Sequence, residues 1–102
     1  APDVAVGDLT VDFARRRVRL RDKDVWLTST EYRLLEVLAR HAGATLSHRV
    51  LLERVWGPAY VHDTHYLKVF VRRLRRKLGD ALDQSGYIQT EWGIGYRLAS
   101  PR

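Results

Sequence analysis

His65-Tyr66-Leu67-Lys68-Val69-Phe70-Val71-Arg72-Arg73-Leu74-Arg75-Arg76-Lys77-Leu78 carries the clearest pattern in the chain. Leu67, Val71, Leu74 and Leu78 recur at i, i+4, i+7 and i+11, an apolar seam at helical spacing that has to face a core. Tyr66, Val69, Arg73 and Arg76 fall on the opposite side, flanked by His65, Phe70, Arg72 and Arg75. From Tyr66 to Leu78 there is no Asp or Glu, whereas a helix that is only a solvated face interleaves both signs as i, i+4 pairs. Arginine forks projecting together with apolar groups suit the major groove of double-stranded DNA. A guanidinium can donate to guanine O6 and N7 while Val or Tyr meets a thymine methyl. Flanking arginines would hold phosphates, and releasing their counterions would make binding steeply salt-dependent.

Working outward, Asp63 or Thr64 can cap this helix and Gly79 can end it, so it is expected from about His65 to Leu78. Upstream, Ser47 can cap a shorter helix whose Val50, Leu51, Val55 and Trp56 form an apolar stripe. Gly57-Pro58 stops it, because proline disfavours helix in the residue before it. Further upstream, Thr28-Ser29-Thr30-Glu31 fits a capping box opening a helix at Ser29. Its apolar residues Tyr32, Leu34, Leu35, Val37, Leu38 and Ala42 recur at helical spacing, with Gly43 as the left-handed terminator. Three helices in this order make a helix-turn-helix arrangement.

Residues 1–27 alternate as strands: Leu9, Val11 and Phe13, then Val18 and Leu20, then Val25 and Leu27, separated at Gly7-Asp8, Ala14 to Arg17 and Asp22 to Asp24. Here Arg17, Arg19 and Arg21 share one face, so this first basic cluster reads as a solvated sheet face. Asp80 to Gly86 reads as loop. Tyr87 to Leu98 reads as a hairpin whose turn holds Gly93 and Gly95, and residues 86–99 supply a wing. The expected fold is α+β: one winged helix-turn-helix domain over residues 1–102, with the sheet in 1–27 and three helices in 28–79.

The composition agrees. The 102 residues are 45% hydrophobic, enough for one compact core and no second domain. Net charge is +6 and the isoelectric point about 10.2, which favours a polyanionic partner, nucleic acid or an anionic membrane. There is no cysteine, hence neither a disulfide framework nor a thiolate zinc site, in keeping with a cytoplasmic location. Ala1-Pro2-Asp3-Val4 has none of the marks of an export signal, and the absent initiator methionine points to an excised fragment.

The residues resemble the OmpR/PhoB family of response-regulator output domains over essentially the whole chain. The resemblance rests on Leu27-Thr28 with Thr30 to Leu35, Leu51-Leu52 with Val55-Trp56-Gly57, Arg72 to Arg75 with Lys77-Leu78, and Gly93-Ile94-Gly95-Tyr96-Arg97. Trp56-Gly57-Pro58 followed by His65-Tyr66-Leu67-Lys68 looks more like the potassium-responsive KdpE subgroup than the phosphate or porin regulators. The resemblance implies an N-terminal four-stranded sheet, recognition by the third helix, minor-groove contact by the wing, and head-to-tail pairing on direct repeats. It places base-facing roles on Tyr66, Val69 and Arg73, to which the helical face adds Arg76. It places DNA-backbone roles on Trp56, His65, Phe70, Arg72, Arg75, Thr90 and Tyr96. The loop from Gly57 to Thr64 is where the family touches RNA polymerase, so Pro58, Tyr60 and Val61 become contact candidates; an ordinary turn with Tyr60 tucked against the second helix is the alternative. A receiver domain, with its phosphorylated aspartate and partner kinase, would lie outside this sequence.

Two departures stand out. Phe70 cannot donate the hydrogen bond that a histidine gives in some relatives. Trp92 stands where some relatives put an arginine that enters the minor groove; packing on a sugar and covering the hairpin are both open to it.

Other classes find little in the sequence. His62-Asp63 and His65 sit at a helix cap rather than on one helical face, with no third ligand nearby, so neither a metal site nor a catalytic constellation is expected, and no cofactor. A basic module on anionic membrane or on another protein is the alternative, but the apolar seam that would enter lipid is needed by the core. RNA is disfavoured, since a single helix cannot read the narrow major groove of A-form RNA.

Overall fold

In the computed structural model, which describes residues 3–79 and 86–100, two antiparallel sheets flank three helices. The chain runs β1 (Val4–Val6), β2 (Leu9–Asp12), β3 (Arg17–Leu20), β4 (Lys23–Asp24), α1 (Ser29–Arg40), β5 (Leu46–Ser47), α2 (His48–Trp56), α3 (Thr64–Lys77), β6 (Ile88–Glu91) and β7 (Gly95–Leu98). A single 3-10 turn, Pro58–Tyr60, lies between α2 and α3. This is the winged helix-turn-helix expected from the sequence, with three helices in the expected order.

The first sheet is a meander, β1-β2-β3-β4, in which Val11 faces Val18 and Leu9 faces Leu20. Leu9, Val11 and Val18 are buried in the core and Leu20 is half-buried against it, while Arg17 and Arg19 point to solvent. The fourth strand is not where alternation puts it. Lys23–Asp24 forms β4, and the turn before it is made by Arg21 and Asp22, both at positive φ, so the separator and the strand exchange places. Val25 and Leu27 pack against the core outside any strand, although the Val25 amide extends the pairing by donating to Val18 O at 2.9 Å.

Helix α1 opens on the expected capping box: Thr28 Oγ1 accepts from the Glu31 amide at 3.2 Å and the Thr28 amide donates to Glu31 Oε1 at 2.9 Å. It ends at Arg40, earlier than Gly43, because the His41 amide already turns back to Leu38 and Ala39. Gly43, at φ +87°, does something else: its amide donates to Leu98 O at 2.8 Å and ties the helix exit to β7. Ser47 Oγ accepts from the Val50 amide at 3.1 Å, the expected cap of α2.

The second sheet, β5-β7-β6, is the wing, and it has one strand more than the hairpin foreseen. Leu46–Ser47 pairs with Tyr96 and Gly95 of β7. That pairing explains Gly95, which lies in the strand and not in the turn: a Cβ there would stand 1.8 Å from the Leu46 carbonyl oxygen. Of the two glycines assigned to the turn, only Gly93, at φ +78°, shapes it. The loop expected over 80–86 falls, apart from Gly86, outside the described residues, as do Ala1 and Pro2.

The candidate nucleic-acid interface

The two sides of α3 have the chemistry their spacing requires. Leu67, Val71, Leu74 and Leu78 are all buried, and removing four such side chains from water stabilises the fold by about 6 to 12 kcal/mol before the entropy of ordering them. The helix is thereby fixed in rotation, and the other side is committed to solvent or a partner. His65, Tyr66, Lys68, Arg72, Arg73 and Arg76 are exposed there, with Val69 and Phe70 half-buried between them. Among the described residues no carboxylate pairs with Arg72, Arg73 or Arg76. The last turn of α3 also carries Lys77, whose Nζ leaves the open face to meet the buried Glu31 carboxylate at 2.6 Å.

Arg75 is a correction to the sequence reading. Expected among the outward, DNA-backbone-facing residues, it is only 8% exposed. Its Nε and Nη2 donate to Ile88 O at 3.0 and 2.8 Å, and Nη2 donates also to Thr90 Oγ1 at 2.7 Å. The same guanidinium lies 5.7 Å from the Tyr96 ring centroid. Arg75 is a strut between α3 and the wing, its fork occupied by strand β6. Tyr96 is likewise inside, 6% exposed, its ring edge-on to His48 at 5.6 Å. Burial pushes its hydroxyl pKa up, against a smaller opposing effect of Arg75. Three residues assigned separately to DNA backbone, Arg75, Thr90 and Tyr96, thus form one packed junction behind the interface.

An aromatic cluster sits at the start of α3. Trp56, at the end of α2, is stacked on Tyr66 with centroids 6.0 Å apart and meets Phe70 edge-on at 5.3 Å. Tyr60 leans edge-on against Tyr66 of α3 at 6.0 Å, while the 3-10 turn as a whole stays in contact with α2. Pro58 and Tyr60 stay exposed and Val61 is half-buried. Tyr66 remains 47% exposed despite its stacking. At the wing tip Trp92 is 79% exposed. Ile94 beside it is also exposed.

The sequence reading missed the Arg75 junction, the Glu31–Lys77 link and the aromatic cluster. Only the last left a trace, Tyr66 and Phe70 one helical turn apart. No group of three or more His, Asp or Glu suited to a metal ion occurs among the described residues. No described helix is long and apolar enough to cross a membrane.

A helix-turn-helix whose last helix carries uncompensated arginines beside a three-stranded wing defines a winged-helix DNA-binding domain. Comparison with known proteins narrows this further. Residues 22–98 match the family model described as transcriptional regulatory protein, C terminal, and the chain belongs to that family, the output domains of OmpR/PhoB-type response regulators. It is 44% identical to the transcriptional regulatory protein KdpE of Mycobacterium tuberculosis over 97 residues, covering 95% of this chain and 43% of that protein. It is equally 44% identical over 100 residues to the KDP operon regulator KdpE of Escherichia coli, of which it covers 44%. The chain therefore spans less than half the length of the curated relatives it matches. Among solved structures, the RstA DNA-binding domain of Klebsiella pneumoniae in complex with the RstA box superposes with a TM-score of 0.87 at 31% identity, covering 97% of this chain and 98% of that one. The DNA-binding domain of CpxR from E. coli gives 0.84 at 30% identity over the full length of both.

Proposed function

We propose that this domain binds double-stranded DNA sequence-specifically and thereby directs the output of a two-component response regulator, with α3 in the major groove and the wing towards the minor groove. The observation that carries the reading is the α3 face: arginines without carboxylate partners among the described residues, on a helix whose other side is locked in the core. Arg73 and Arg76 read base edges together with Tyr66 and Val69, while Trp56, His65, Phe70 and Arg72 border the DNA backbone. Arg75, Thr90 and Tyr96 support the wing from behind, and Trp92 and Gly93 lie on its DNA side. The domain is a binding module without catalytic chemistry of its own.

Two copies bind head to tail on direct repeats, and the turn with Pro58, Tyr60 and Val61 offers a surface to RNA polymerase. In the full-length cytoplasmic regulator a receiver domain governs this output. The KdpE-like residues around Trp56 and His65, with the likeness to both KdpE proteins, favour an operon of that class.

Selection of bound duplexes from a randomised pool, followed by a salt titration on the winner, tests the reading. Enrichment of a direct repeat at one-turn spacing is expected. Unenriched DNA whose binding vanishes at moderate salt would reduce α3 to an electrostatic surface, and binding to anionic vesicles would then be the next measurement.

A further inference from the structure

Phe70 lies on the solvent side of α3 but cannot donate to a phosphate, so its place on this face needs another reason. The geometry supplies one. The Arg73 guanidinium carbon stands 5.0 Å from the Phe70 ring centroid, one helical turn further along. The ring is held in turn: Trp56 abuts it edge-on at 5.3 Å, and Trp56 is backed by Tyr66, stacked at 26° between ring planes. Arg73 has no ion pair among the described residues to draw its fork elsewhere. Among the described residues no ring underlies Arg72 or Arg76 on the same helix.

We infer that Phe70 is a positioning residue for base reading: its ring is a shelf that holds the Arg73 guanidinium extended along the groove-facing side of α3, and Trp56 holds the shelf. An arginine side chain loses much rotamer freedom when it forms a bidentate contact. A cation resting on an aromatic face has part of that order before DNA arrives. The shelf therefore favours the base pair that Arg73 reads over the alternatives, and it does so without Phe70 touching a base. The inference rests on the reading of Arg73 as a base contact.

The test is a binding panel in which each base pair of the selected site is varied in turn, run on the wild-type domain and on Arg73→Ala, Phe70→Leu and Phe70→Tyr. Arg73→Ala identifies its base pair by the loss of preference there. Phe70→Leu is expected to lower the preference at that same base pair about two- to fivefold, leaving other positions and the salt slope unchanged. Phe70→Tyr, which keeps the ring, retains full preference. Phe70→Met fills a similar volume without a ring and replaces the leucine variant if circular dichroism finds that one unfolded. Full preference in the ringless variant, or an equal loss at every base pair, overturns the shelf. If Arg73→Ala leaves every preference intact, Arg73 is not a base reader and the proposal falls with that reading, a signature distinct from failure of the shelf alone.

Discussion

Two arginine clusters of similar size have opposite fates in this domain. In the N-terminal sheet, Arg15 pairs with Asp12, Arg17 and Arg19 with Asp24, and Arg21 with Asp8. On α3, Arg72, Arg73 and Arg76 are exposed and meet no carboxylate among the described residues. Counting charges ranks the two patches as equals, whereas counting partners separates them. A neutralised pair has little to offer a phosphate, while an unpaired guanidinium releases counterions when DNA replaces them. Arg75 crosses the division: it belongs to the α3 cluster in sequence, but it is spent on the wing's backbone in the fold.

Substitutions can break this contrast or sharpen it. The largest effect is expected at Arg75. Arg75→Ala removes the buried donor to the Ile88 carbonyl and the Thr90 hydroxyl and should cost about 2 to 3 kcal/mol of stability in urea unfolding. A stable Arg75→Ala protein with only a flattened salt slope would return Arg75 to the DNA-contacting group.

Arg73→Ala should lose about 1 to 3 kcal/mol of discrimination at one base pair with stability unchanged, measured on duplexes varied at each position. Arg72→Ala should weaken all sequences alike and reduce the salt slope by about 1, a smaller change that a salt titration resolves.

Acid tests the paired carboxylates. Burial pushes Glu36 up, but hydrogen bonds and charge from Arg40 and Arg33 outweigh it and hold the carboxyl below its usual value of 4.5. Glu31 behaves the same way, burial being outweighed by Lys77 and the Thr28 amide. A folded pKa below the unfolded one means stability that is complete above about pH 4.5 and is lost as pH falls through the lower folded value. Unfolding midpoints should therefore fall below that pH, and Glu36→Gln should flatten the fall. The smallest effect is expected at Arg17→Ala, which opens an exposed pair with Asp24 and should leave DNA affinity at wild-type level; a loss matching that of Arg72→Ala would erase the distinction between the two clusters.

Much of the fold was legible because local chemistry is stated locally. The capping box at Thr28, the Ser47 cap, the Leu67-Val71-Leu74-Leu78 seam and the terminal hairpin each involve residues a few positions apart, and each forms, the hairpin with only Gly93 of its two expected glycines in the turn. Strand β5 was not legible: two residues have no periodicity, and they become a strand only because β7 comes alongside. Gly95 was misplaced for the same reason, since the oxygen that forbids its Cβ belongs to Leu46. The exchange between turn and strand at residues 21–24 reflects a two-residue strand with both side chains exposed, on which alternation has no hold.

The candidate interface divides along the same line. That α3 would have one apolar and one cationic face followed from sequence, because 3.6 residues per turn sort side chains by spacing alone. Which arginines on that face remain available could not follow, because a guanidinium's partner can lie far along the chain. Arg75 finds Ile88 and Thr90, Lys77 finds Glu31 across 46 positions, and Arg73 rests on a ring that Trp56 holds from another helix. Helical periodicity is a property of the local backbone and is written in residue order. The pairing of long flexible cations depends on which surfaces the packed core brings together, and that is settled when the helices and the wing close on one another.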